Sequence, residues 1–397
     1  MNITERKGKK GISYNIRVFV GTDVDGKKKF KTMTWKPKEG MTKRQIEKEL
    51  QKIAVHFEEE CLKDGKTTKK IKFQTLADEW LDLALHTGEL NISTFERMKL
   101  CCERIYNAIG NTYIDELTYR AIQNFIVSLS KDGVNQRTGK GLSEKTQKHY
   151  ITFISDVFNY AIKCEFVKEN PCKNVKAVKE KCKTSKDFYS VEETRKFIEL
   201  LEKKATLQYN LLFHLLIFYG LRRGEVLGLE WKDFDFSNKT MSILRTSKYA
   251  KSIGIYTDST KTEESTRILA ISDDTISFLN RYKSEQDKMK AIYGNCWIDN
   301  DRLFVSEGGS PLHPNVPYNW LKRFCNSNGI TFKGLHSFRH AMATTAITNG
   351  ADIKTVSAVL GHSQTSTTLN IYSHAVKQAN ARAINIVADI INGKGTD

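Results

Sequence analysis

The sequence predicts a mainly α chain with small β-sheets, in three segments: a small sheet with a helix at residues 1–60, a helical bundle at 73–174, and a mixed α+β segment at 188–397. Three observations predict it. Apolar residues alternate from Ile12 to Val20 and again from Lys29 to Trp35; helix-period stripes recur four times between Phe73 and Asn174; beyond Ser190 helical stripes and strand-like alternation occur together. Stripe-free, lysine-rich stretches at 61–72 and 173–186 separate the three.

In the first segment Tyr14, Ile16, Val18 and Val20 share one face of a strand, and Asn15, Arg17 and Phe19 the other. Asp25-Gly26 is a favoured two-residue hairpin turn. The next strand sets Lys29 and Lys31 opposite Phe30 and Thr32, and Thr42-Lys43-Arg44-Gln45 is a capping box for a helix striped by Ile46, Leu50, Ile53 and Phe57. Residues 1–44 hold thirteen Lys/Arg against four Asp/Glu, so +9 of the chain's formal +17 lies there. A sheet with a basic open face suits the major groove, with Asn15, Arg17, Phe19, Lys29 and Lys31 as contacts; a solvated edge that keeps the sheet soluble is the alternative.

The bundle follows. Thr75 is expected to cap a helix carrying Leu76, Trp80 and Leu83, and Ser93-Thr94-Phe95-Glu96 one carrying Met98, Cys102, Ile105 and Ile109. Thr118 opens a third with Ile122, Phe125, Ile126 and Leu129. Ser143 opens a fourth with Tyr150, Phe153, Ile154, Val157, Phe158 and Ala161. Lys140, Lys145 and Lys148 near its start are expected to meet backbone phosphates, or else form a charged solvated face. Pro171 ends the bundle.

In the last segment Ser190-Val191-Glu192-Glu193 is a capping box, Tyr209–Tyr219 is apolar all round and therefore core, and Asp233–Asn238 is a turn. Thr240–Leu244 and Ser265–Ile271 read as strands, Thr275–Lys290 and Pro317–Ser327 as helices with Trp320 and Phe324 in the core, and Val376–Ile391 as a terminal amphipathic helix.

The net charge points to a polyanionic partner. No apolar run approaches the roughly 20 residues of a membrane span, and the first residues do not read as a signal peptide. That favours nucleic acid over a membrane and a cytoplasmic, nucleoid-associated location. Eight scattered cysteines read as reduced thiols; neither a metal nor a cofactor is expected.

The chemistry concentrates in a few short motifs. His336 and Arg339 lie three apart at the start of a helical run, so they share a face of its first turn. Tyr219-Gly220-Leu221-Arg222-Arg223-Gly224-Glu225 supplies a second arginine; Leu360-Gly361-His362 and Tyr372-Ser373-His374 follow. A phosphodiester under attack gains charge on its non-bridging oxygens, which guanidinium forks match bidentately. A tyrosine hydroxyl, with an ordinary pKa of about 10, needs a base such as His336 and nearby cations to act as the nucleophile. Lys261, in Asp258-Ser259-Thr260-Lys261-Thr262, sits in a turn from which it can protonate a departing deoxyribose oxygen.

These motifs, in this order, resemble the tyrosine recombinases, the family of phage and conjugative-transposon integrases. The resemblance implies that Tyr372 forms a 3′-phosphotyrosyl link and frees a 5′-hydroxyl. It implies that Arg222, His336, Arg339 and His362 hold the phosphate, that Lys261 is the general acid, and that Glu225 supports Arg222. Tyr219 stands where a small residue is usual, and Ser337-Phe338 replaces the common Asp-Leu. The resemblance further implies an arm-type DNA-binding domain at 1–60, with a three-stranded sheet plus helix, a core-binding domain at 73–174 and a catalytic domain at 188–397. Double-stranded DNA, a homotetramer, a terminal helix docked on a neighbouring protomer and a small excision factor come with it; docking of that helix on its own domain is the alternative. Neither ATP nor metal is needed, because the phosphotyrosyl bond conserves the phosphodiester's energy. A type IB-like topoisomerase and a catalytically inactive DNA-binding regulator are the alternatives.

Overall fold

An alternating strand needs an apolar surface to cover one face, and α1 (Lys43–Asp64) provides it for β1 (Asn2–Gly8), β2 (Gly11–Thr22) and β3 (Lys28–Trp35), an antiparallel sheet in that order. Ile16 and Val18 are buried with Leu50, Ala54 and Cys61, and Tyr14, Val20, Met33 and Trp35 pack around them. Gln45 Oε1 accepts the Thr42 N–H at 2.9 Å, one half of the expected box. The phase of β3 is the reverse of that expected. Phe30 pairs with Phe19 and Lys31 with Val18, so Lys31 belongs to the helix-covered face and Phe30 to the open one. Met33 and Trp35 share the parity of Lys31, and their larger apolar area decides which side is buried. On the open face the Arg17 guanidinium lies 3.8 Å from the Phe30 ring.

The computed structural model describes residues 1–8, 11–22, 28–38, 40–64, 70–179, 188–259, 266–361, 369, 372 and 391. The Asp25-Gly26 turn and nearly all of the expected 376–391 helix lie outside them. Two compact units emerge, residues 1–181 and 182–397, the first containing two separate hydrophobic clusters. Among the described residues no helix is long and apolar enough to cross a membrane. Of the seven cysteines described, Cys61, Cys102, Cys172 and Cys325 are buried.

The second cluster of the first unit is the four-helix bundle: α2 (Phe73–His86), α3 (Ile92–Ile105), α4 (Tyr119–Ser128) and α5 (Glu144–Lys163). Thr118 and Ser143 cap α4 and α5 as expected. Two starts differ. Helix α2 begins at Phe73, before Thr75, because Phe73 is itself core and extends the stripe through Leu76, Ala77, Trp80, Leu81 and Ala84, leaving Leu83 exposed. Helix α3 is capped by Asn91, whose Oδ1 accepts both the Thr94 N–H and the Ser93 hydroxyl, so Ser93 is a partner of the cap.

In the second unit α6 (Val191–Lys204) carries the reciprocal Ser190–Glu193 cap, and α7 (Leu207–Phe218) is core on nearly every side. Helix α8 (Arg223–Gly228) leads to β4 (Phe234–Asp235) and β5 (Thr240–Ile243). Next come a hairpin of β6 (Arg245–Ala250) and β7 (Gly254–Ser259), and then β8 (Arg267–Ala270), which pairs with β5. The hairpin is absent from the sequence reading. Arg302 fastens it, donating to Thr257 Oγ1 on β7 and, at 2.7 Å, to the Gly228 carbonyl at the end of α8. Helices α9 (Asp273–Tyr293), α10 (Val316–Ser327), α11 (His336–Thr348) and α12 (Ile353–Leu360) complete the described fold. Trp320 and Phe324 are only half-buried; Leu321 and Cys325 fill the core from α10.

Candidate active site

The site begins with what fixes α11. Phe338, fully buried, stacks on Tyr189 at 4.6 Å and lies 5.0 Å from Phe197, with Phe213 at 5.9 Å. Aromatic pairs of this geometry each add about 0.5–1.5 kcal/mol beyond area burial. They orient the first turn of α11, whose next residue, Arg339, is 2% exposed. Phe338 in place of the usual Leu therefore strengthens the seat of the arginine. Tyr219, the other departure, is used elsewhere: its hydroxyl accepts the Ser272 N–H at 3.2 Å and bonds Thr275 Oγ1 at 2.8 Å, tying the end of α7 to the start of α9.

Helix α12 ends at Leu360, with Gly361 in the left-handed region at φ 62°. A Cβ on Gly361 would come within 2.7 Å of the Arg267 guanidinium, so a larger residue there would strain the backbone and push on Arg267. The last carbonyls of a helix have no intrahelical donor and carry its partial negative charge. Here three successive carbonyls are satisfied by three arginines. Arg267 Nε donates to Val359 O at 2.7 Å, Arg339 Nη2 to Leu360 O at 2.5 Å and Arg222 Nη2 to Gly361 O at 3.0 Å. Arg339 Nη1 also donates to Gly220 O at 2.7 Å, which joins the ends of α7 and α12. A guanidinium carries five N–H donors; these bonds engage two of Arg339's.

Glu225, 1% exposed, is the counter-ion. Its carboxylate accepts Arg222 Nη1 at 2.6 Å, the Arg222 N–H at 2.9 Å and Arg267 Nη2 at 2.9 Å. Burial pushes its pKa upward, but the Arg267 hydrogen bond and charge, then those of Arg222, outweigh it and hold it below the ordinary carboxylate range. A depressed folded pKa stabilises fully above the unfolded value of about 4.3 and loses that stabilisation as pH falls through the folded value. The second unit is therefore expected to lose stability in acid below about pH 4. Glu225→Gln leaves Arg222 and Arg267 without their carboxylate and is expected to cost about 3–5 kcal/mol at neutral pH with a flatter acid limb, read by melting the full chain across pH.

Arg222 and Arg223 part company. Arg223 Nη1 reaches Asn315 Oδ1 at 3.2 Å, away from the α12 carbonyls. Burial and the charge of Arg222 push the Arg339 guanidinium down to about 9, so it stays protonated at neutral pH. Tyr372 is 4% exposed, and its hydroxyl lies 3.0 Å from His340 Nδ1, in a hydrogen bond whose direction follows the imidazole tautomer. Burial raises the Tyr372 pKa and the charge of Arg339 pulls it down, with burial prevailing. His336, exposed at the first position of α11, has its ring 5.1 Å from that of His340.

Of the expected residues the structure gathers Arg222, Glu225, Arg339 and Tyr372, with His336 one ring away. Lys261 and His362 lie outside the described residues. The histidine on the Tyr372 hydroxyl is His340, where the sequence offered His336 as the base. Arg267 is the other participant that sequence reasoning passed over; a lone arginine on a strand gave no signal. Among the expected DNA contacts, Arg17 and Phe19 are exposed on the open sheet face, with Asn15 half-buried on it, and Lys140 and Lys145 are exposed. Lys148 is exposed but ion-paired to Glu144 at 2.7 Å. Lys31 is on the opposite face, and the Lys29 side chain lies outside the description.

Residues 188–379 match the profile described as the phage integrase family, and residues 79–181 that of the phage integrase SAM-like domain. A XerC-like tyrosine recombinase of Caldanaerobacter subterraneus is 27% identical over 394 residues, 95% of this chain and 96% of that protein. The ICEBs1 integrase of Bacillus subtilis is 29% identical over 66% of this chain and 68% of that one. In fold, the Tn1549 transposon integrase, solved with circular intermediate DNA, superposes with a TM-score of 0.64 at 19% identity, covering 79% of this chain and 99% of that one. A lambda integrase dimer bound to a COC′ core site gives 0.55 at 15% identity over 93% and 94%.

Proposed function

The chain belongs to the phage integrase family of tyrosine recombinases, and from that premise we propose how this site-specific recombinase cuts and rejoins DNA. Tyr372, its hydroxyl proton passing to the imidazole beside it, attacks the scissile phosphorus, forming a 3′-phosphotyrosyl bond as the bond to the 5′-oxygen breaks. Arg222 and Arg339 bind the non-bridging oxygens, with His336 and His362 beside them, and Lys261 protonates the departing 5′-oxygen. The observation that carries this reading is the pair of guanidinium forks on neighbouring carbonyls, Gly361 O and Leu360 O, with a tyrosine hydroxyl in the field of Arg339. Two fixed cations at the ends of three helices are a preorganised binder of a charge-accumulating phosphate. No external energy source enters, because the phosphotyrosyl ester conserves the broken bond.

The +17 chain engages double-stranded DNA through more than the active site. The bundle, with Lys140, Lys145 and Lys148, serves core-type sites. The open face of the β1–β3 sheet, with Arg17, Phe19 and Asn15, serves arm-type sites; Phe30 joins that face where Lys31 was expected. A homotetramer that integrates and excises a mobile element in the bacterial cytoplasm, aided by a small excision factor, completes the reading. An arm-type sheet argues against a plain topoisomerase, and the assembled cations argue against an inactive regulator.

The test is a duplex nicked near the crossover so that a short 5′-hydroxyl fragment diffuses away, incubated with the full chain in EDTA. The expected result is a protein–DNA adduct on a denaturing gel, carried through the 3′ phosphate of the cleaved strand. Duplex binding without an adduct at any crossover sequence would return the reading to a DNA-binding regulator. Relaxation of plasmid DNA without exchange between two sites would return it to a topoisomerase.

A further inference from the structure

We propose that Arg267 is a positioning residue for strand cleavage, locking Glu225, and through it Arg222, to the C-terminal end of α12. The inference rests on the recombinase reading above and adds a residue to it. Arg267 opens β8, its side chain 7% exposed. One guanidinium meets two elements at once: Nε donates to Val359 O at 2.7 Å on α12, while Nη2 and Nη1 donate to the two oxygens of Glu225 on α8 at 2.9 and 3.4 Å. Glu225 in turn holds both the backbone N–H and the guanidinium of Arg222. Gly361, whose missing side chain leaves room for the Arg267 guanidinium, is the residue before His362. Arg267 also follows Lys261 by six residues in the chain. A single side chain thus joins the strand entered from the Lys261 segment, the helix that Arg222 caps and the helix end that precedes His362.

Ordinary stabilisation accounts poorly for this arrangement. A buried ion pair yields little net stability against an apolar replacement. What an apolar side chain could not do is keep Glu225 ionised inside the protein, and an ionised Glu225 is what orients the Arg222 fork. Arg267 is not offered as a phosphate ligand, since its fork is spent on Glu225 and Val359. Among the described residues, the charged groups facing Glu225 are Arg267 from β8, Arg222 at the start of its own helix and Arg339 from α11, the last through its charge. Removing Arg267 removes the strongest of the influences that hold the carboxylate ionised.

The experiment uses the full chain and the nicked duplex, with single-turnover adduct formation measured across pH beside the affinity for intact duplex. Arg267→Gln is expected to slow adduct formation about 10²-fold, to change duplex affinity less than about threefold, and to move the acid limb of the rate upward by about one pH unit. Arg267→Lys keeps a cation beside Glu225 without the fork, so the acid limb stays near that of wild type while the rate recovers only in part. A rate and pH profile unchanged in both variants would overturn the proposal, as would a slowing matched by lost duplex affinity with no shift of the acid limb. Melting without DNA separates this from the recombinase reading. The acid loss of stability is expected to be smaller, a flatter limb, in Arg267→Gln than in wild type, whether or not an adduct forms. Coincident melting profiles would overturn the lock itself.

Discussion

Tyr372→Phe is expected to abolish the covalent adduct on the nicked duplex, lowering its rate of formation by about 10⁴-fold or more, with duplex binding unchanged. The substitution deletes one oxygen from a residue that is already buried, so shape and packing are kept. What is lost structurally is the 3.0 Å hydrogen bond to His340 Nδ1, at a cost of about 1–2 kcal/mol, which a folded unit of this size tolerates. What is lost chemically is the oxygen proposed to become the phosphoester. The buried Tyr372 hydroxyl is held in its neutral form at pH 7, which keeps it unreactive until phosphate and base are in place. An adduct that persists in Tyr372→Phe, measured by end-labelled duplex on a denaturing gel, would place the nucleophile elsewhere and dismantle the site as described.

How much of this was legible in the sequence follows from what kind of signal each part carries. Periodicity found the bundle, and an unbroken apolar run found the buried α7, because both patterns are set by burial alone. Caps were legible where a single residue competed, as at Thr118, Ser143 and Ser190. They failed where two did, as at Asn91 and Ser93, because the winner depends on which carboxamide or hydroxyl reaches the Thr94 N–H. The β3 phase failed because lysine parity was followed when Met33 and Trp35 carried the larger apolar area. The β6–β7 hairpin was missed because its polar, charged strands bury little and are held by Arg302, a partner 45 residues from Thr257. In the site, the short motifs announced Arg222, Arg339 and Tyr372 as residue types at fixed spacings. The carbonyls of α12 have no sequence signature at all, since every residue has a carbonyl, and so Arg267, defined by what it bonds, stayed invisible. His340 was visible but discounted, because adjacency to a motif says nothing of direction, and only the turn of α11 aims its Nδ1 at Tyr372.

Arg339→Lys, which preserves charge, is expected to lower adduct formation about 10²–10³-fold while duplex affinity changes by less than about threefold. Arg339 spans two separate helix ends, Gly220 O at 2.7 Å and Leu360 O at 2.5 Å, and has N–H groups left to meet a phosphate. An ammonium offers three donors from one point and cannot reach both carbonyls and a ligand together. The pH dependence gives a second reading. Burial and the charge of Arg222 bring the arginine down to about 9, so the wild-type cation survives through neutral pH. The same surroundings act on an ammonium from a lower start, ordinarily about 10.4, and lower it as well. A group whose charged form is required loses function as pH rises through its pKa, so the residual activity of Arg339→Lys is expected to fall at lower pH than that of the wild type, whose cation persists up to about pH 9. Single-turnover cleavage across pH decides it. A variant that cleaves at the wild-type rate with no alkaline loss would show that a point charge suffices at this position, and that the fork on the α12 carbonyls holds the fold together without holding the phosphate.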